Sequence, residues 1–95
     1  MTYEECMVEA INYLREQFPL EVKKQIYDMY LEDPKEWYVE HHFFWGMHIR
    51  NELRNHGLKD EFLPTGNWDD YYVEAVEKAV LIPEIIKAIK ELENG

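Results

Sequence analysis

Four prolines, at positions 19, 34, 64 and 83, set the limits on what this chain can fold into. A proline is accommodated in the first turn of a helix and disrupts its interior. Between the prolines, apolar residues recur at helical spacing, and the usual loop formers are scarce: glycine also numbers four and serine is absent. Long irregular connections are therefore disfavoured, and the class is all-α, a compact bundle of four to five helices.

The boundaries follow from local chemistry. Thr2 and Glu5 have capping-box spacing ahead of Met7, Ile11, Leu14 and Phe18, which predicts a first helix from about Tyr3 to Gln17. Pro19 opens a second, with Val22, Ile26, Met29 and Tyr30 on its inner face, ending near Leu31. In "DPKE", Asp33 can cap, Pro34 suits the first helical position and Glu36 completes the box, so a third helix is expected over about 34–56 and placed at the centre of the bundle, with Asn55 to Gly57 as its stop. The segment "LKDEFLPTGNWDD" is the longest connection, with room for one helical turn near Glu61, after which Asn67 or Asp69 caps a fourth helix. Its inner face is Tyr72, Val76, Ala79 and Val80. Pro83 then kinks the chain or starts a short fifth helix, the preferred reading, with Ile82, Ile86, Ile89 and Leu92 inward.

The 95 residues suit one small domain, 1–95, and 46% hydrophobic content is enough for a core despite a net charge of −10. Twenty acidic residues against ten basic ones make nucleic acid and anionic membrane unfavourable partners and a basic protein surface a favourable one. A lone Cys6 permits neither an internal disulfide nor a cysteine metal cluster, and "MTYEECMVEA" lacks the basic start and apolar run of a signal peptide. With no run of about 20 apolar residues, the expected location is the cytoplasm.

The run "HHFFWGMHIRN" is the richest in chemistry. On a wheel at about 100° per residue, Trp45, Tyr38, Ile49, His42, Leu53, Gly46, Val39 and Phe43 span about 160° and form a core-facing stripe. Gly46 within it suits close approach of another helix backbone. Phe44, Trp37, His48, His41 and Glu52 form a second stripe. It is a recognition patch if the other helices leave it open, and core if helix three is covered on both sides.

His41 and His48 are about 10.5 Å apart along a helix axis, too far to share one metal ion, and His48 with Glu52 lacks a third ligand. No metal or cofactor is expected. Nor is the chain expected to be an enzyme: it has no serine nucleophile, glycine-rich phosphate loop or recognisable triad.

Arg50 lies at the margin of the core stripe, where a cation needs a carboxylate or carbonyl partner. Asp69 and Asp70 are the available acids, so Arg50 is expected to clamp the long loop, with Asn51 bonding loop backbone and Trp68 anchoring beside it. "HHFFWGMHIRN" followed by "GNWDD" resembles a family of small uncharacterised microbial helical domains. Their pattern is a His, a spaced Gly, Ile-Arg-Asn, then a loop and an aspartate-containing helix start. The matching positions are His41 or His42, Gly46, Ile49, Arg50, Asn51, Asp69 and Asp70, within a similarity from Tyr3 to about Val80. "ELRNHGLKDEFL" stands where that family commonly has a Trp-containing segment. The resemblance implies that Arg50, Asn51 and the aspartates form one unit, and it carries no activity.

The leading expectation is a protein-interaction module that self-associates as a homodimer or captures a basic protein surface. Its contact face would be Trp37, His41, Phe44 and His48. Histidines there would make binding pH-sensitive between about 5 and 7. The alternative is a small-ligand or metal-binding domain centred on Arg50, Asn51, His48 and Asp69.

Overall fold

In the computed structural model, which describes residues 1–39 and 45–94, three of the four prolines mark the features expected of them. Helix α1 covers Tyr3–Gln17, opened by a complete capping box in which the Thr2 hydroxyl accepts the Glu5 amide and the Glu5 carboxylate accepts the Thr2 amide. Pro19 precedes α2, Leu20–Glu32, and its carbonyl accepts the amides of Val22 and Lys23. Pro83 begins α5, Pro83–Asn94, as a separate helix after Leu81 and Ile82. Pro64 sits in the loop before α4, Tyr72–Val80.

Pro34 is the exception, and it corrects the expected helix of residues 34–56. The Asp33 carboxylate does accept the Glu36 amide, but residues 34–38 form turns, and the regular helix α3 covers only Met47–Asn55. Trp37 explains the difference. It is 4% exposed, its ring lies edge-on to Trp45 with centroids 5.6 Å apart, and its Nε1 donates to Glu77 at 3.4 Å. A straight helix would hold residues 37 and 45 about 12 Å apart along its axis. Burial of a large indole outweighs the modest helix preference of a short segment. Val39, expected in the core stripe, is consequently 53% exposed.

Among the described residues, the helix with the most buried positions is α4, rather than the expected helix three; it packs against α1 and, less extensively, α2. Tyr72, Ala75, Val76, Ala79 and Val80 are all buried, as are Cys6, Met7, Ala10 and Leu14 of the α1 helix it packs against, and the small alanines on both buried faces suit close approach. The two run parallel. At one end Tyr3 donates to Glu74 and packs on Tyr71; at the other, Arg15 donates to the carbonyls of Ala79 and Lys78. Arg15 thereby satisfies carbonyls that the end of α4 leaves without helical partners. Helix α5 packs on α2, with Lys24 joining Asp28 and Glu93. Ile89 is buried, whereas Leu92, expected inward, is 40% exposed in the last turn. No helix among the described residues is long and apolar enough to cross a membrane.

Arg15→Ala should destabilise the fold by about 1–2 kcal/mol, the scale of charge-assisted bonds to backbone carbonyls. Urea denaturation should show a lower midpoint with an unchanged slope.

Candidate functional site

Successive positions on α3 do different work because each residue turns the helix by about 100°. Ile49 and Leu53 face the core. Arg50 and Arg54, one turn apart, face the loop that leads to α4, while His48 and Glu52 face the start of α2.

On the loop side the chain is tied to α3 by ion pairs and backbone capture. Gly57, at φ +90°, ends α3, and the Leu58 amide reaches back to the Leu53 carbonyl at 3.1 Å. Arg54 then grips Asp60 through Nε and Nη2 at 2.7 and 3.0 Å, a two-point fit of guanidinium to carboxylate. Asp60 also accepts the Trp68 amide, and the Trp68 indole donates to the Leu58 carbonyl at 2.8 Å. Arg54's hydrogen bonds, joined by that amide, hold the Asp60 carboxyl below its usual range. The same acid helps burial push the Cys6 thiol up, so Cys6 remains an inert, protonated core side chain.

One turn earlier, Arg50 Nε meets Asp69 Oδ1 at 2.6 Å, and its guanidinium carbon lies 5.0 Å from the centroid of the Tyr72 ring. The expected clamp is present and has a second half. Arg50 is only 8% exposed, and its buried Nη1 has no hydrogen-bond acceptor among the described residues. Asp69 on one edge and the Tyr72 π-face therefore compensate the charge. Gly46 makes this geometry possible, though not by admitting a helix backbone as expected. A Cβ there would lie 2.7 Å from the Tyr72 hydroxyl and 2.9 Å from Arg50 Nη1.

The other predicted residues divide. Asn51 accepts from Arg54 within α3 and, among the described residues, makes no hydrogen bond to loop backbone. Asp70 accepts the Thr65 hydroxyl at 2.6 Å and takes no part in the Arg50 pair. Asn67 caps the short 3-10 turn Trp68–Asp70 through the Asp69 amide, and α4 begins after it without a side-chain cap. Trp68 is fully buried and Trp37 nearly so, which makes both of them anchors and removes both from a contact surface. His41 and Phe44 lie outside the described residues. The Arg54–Asp60 pair was readable only in retrospect, from the four-residue spacing of the two arginines in "RNELR".

On the opposite side lies a two-lobed apolar groove. One lobe, of about 410 Å³, lies where α1 ends, α2 begins and α3 passes; Tyr13, Phe18, Val22, Trp45, His48 and Glu52 line it. The other, about 370 Å³, continues along α2 past Ile26 and Met29. Val22 and Trp45 border both. The Phe18 and Trp45 rings are near parallel, with centroids 6.4 Å apart. Tyr13 donates to Glu52 at 2.9 Å while stacking on His56 at 4.1 Å, so Glu52 and His56 are held by one phenol. Trp45, expected in the core, is half-buried and borders both lobes of this groove.

His48 and Arg50 are about 200° apart on α3. Arg50, Asn51, His48 and Asp69 accordingly do not converge on one pocket: His48 opens on the groove and the Arg50–Asp69 pair on the loop. Among the described residues, no three His, Cys, Asp or Glu side chains gather where they could hold a metal ion. No known family, curated protein or solved structure matches the chain.

Gly46→Ala fits the backbone, which is right-handed helical at φ −61°, so the collision with buried Tyr72 decides the outcome. A net loss of about 1–3 kcal/mol is expected. In a double-mutant cycle, adding Tyr72→Phe should cost less than it does alone, because the colliding hydroxyl is gone.

Asp60 has a carboxyl lowered in the folded state, so its stabilising contribution is complete above its unfolded pKa of about 4 and fades as pH falls through the folded value. Asp60→Asn should therefore be less stable than the wild type at pH 7. The gap, followed by urea denaturation, should narrow below about pH 4.

Proposed function

We propose that this chain is a small helical protein-interaction domain that acts by recognition and binds a protein segment in the groove around Trp45 and His48. The observation that carries this reading is the groove itself. It offers aromatic and aliphatic side chains from three helices, with a few polar groups at its margin, the composition of a surface that buries a partner's apolar anchors. The recognition face expected from the sequence thus keeps His48 and replaces Trp37 with Trp45. The best-placed carboxylate, Glu52, is committed to Tyr13, which suits a rim that orients a partner. Cytoplasmic residence accords with the single cysteine and is part of the same proposal.

Val22 is shared by both lobes and is half-buried, so Val22→Glu places a charge where an apolar anchor would sit. Affinity capture from cell extract and light scattering should both be run on wild type and variant, with circular dichroism as the fold control. The expected result is a partner, or a dimer, formed by the wild type and weakened at least tenfold in the folded variant. Equal capture and equal mass for the two proteins would overturn the reading.

A further inference from the structure

We infer that the occupant of the groove is a basic amphipathic helix of about ten residues supplied by another protein; the inference rests on the groove reading above. The first argument is charge. Among the described residues that line the two lobes, Glu52 and Asp28 are the acids, His48 is the one imidazole, and there is no Lys or Arg. Glu52 bonds to a phenol, a partner that brings no positive charge. Asp28 shares Lys24 with Glu93, leaving that trio one negative charge in excess. The whole chain carries −10, so a second copy would bring like charge to like, whereas a cationic segment meets attraction over long range and at the rim.

The second argument is backbone chemistry. An extended peptide needs a continuous row of partners for its amides and carbonyls, whereas the groove walls offer unpaired backbone groups only where α1 ends and α2 begins, the rest being helix interior already paired. Their side chains are mostly apolar: Leu14, Phe18, Ile26, Met29, Trp45 and Ile49. A helix satisfies its own backbone and presents anchors at intervals of three, four and seven residues. The third is length. The α2 wall of the groove runs from Pro19 to Met29, about 15 Å at 1.5 Å per residue, which matches about ten residues of a docked helix.

The experiment uses the full chain with labelled indoles, because its three tryptophans occupy distinct places: Trp37 and Trp68 are buried and Trp45 borders both lobes. The probes are a twelve-residue amphipathic peptide of leucine and lysine, its leucine and glutamate counterpart, and a scrambled leucine and lysine peptide of equal charge. The first peptide should move the Trp45 indole signal most, shift that of its ring neighbour Trp37 less and leave that of Trp68, with the other two binding at least tenfold more weakly. Asp28→Asn with Glu52→Gln should weaken the first peptide several-fold. Glu4→Gln with Glu9→Gln, the same charge change on the outer face of α1, should not.

Equal binding of the scrambled peptide, or equal weakening by both double variants, would show diffuse charge attraction and overturn the inference. Equal binding of the glutamate peptide at Trp45 would overturn the basic occupant and leave the groove as a docking site. If no peptide moves Trp45, the inference falls. The groove reading falls with it only if wild type and Val22→Glu also retain the same proteins.

Discussion

Arg50, held between the Asp69 carboxylate and the Tyr72 ring, joins the two halves of this chain. Helix α3 is nine residues long, well below the length at which an isolated helix is stable in water. It persists because Ile49 and Leu53 enter the core and because Arg50 and Arg54 tie it to the segment that follows. That segment, with Trp68 driven into the core and bonded to Leu58, delivers the chain to α4. The groove face of α3 is therefore positioned from behind: His48 and Glu52 stand where they do because the residues one step round the helix are held.

Much of this could be read from residue order, for local reasons. The Thr2–Glu5 box, Pro19, Pro83 and Gly57 act through their nearest neighbours, and the structure places helix ends at each. The need of Arg50 for an acid is equally general, since a buried guanidinium without one is costly. What escaped the sequence depended on distant contacts. Asp33 and Pro34 form a sound helix start by local rules, yet Trp37 is drawn inward by Trp45 and Glu77, so the angles of a straight helix do not apply to residues 34–39. Choosing Asp69 over Asp70 required the Asn67 cap, which turns one acid toward α3 and leaves the other to Thr65. The groove was hidden for the same reason. Its walls come from three helices, and a wheel drawn for one helix cannot show a space between them.

Charge and shape then divide the task of recognition. An overall charge of −10 favours basic partners without choosing among them. The apolar lobes beside Trp45 supply selection by side-chain size and spacing, and fixing Glu52 through Tyr13 reduces the freedom a partner would otherwise have to freeze out on binding.

Gly46 has a meaning beyond its own helix. The space beside it is filled by the Tyr72 hydroxyl from α4 and by the charged end of Arg50, one turn further along α3. Positions 46 and 72 therefore draw on one fixed volume, although 26 residues separate them in the chain. Sequence drift at either is constrained by the other: a side chain at 46 costs least where residue 72 has been shortened. Such a pair is a marker by which divergent relatives of this fold could be sought when overall similarity has faded.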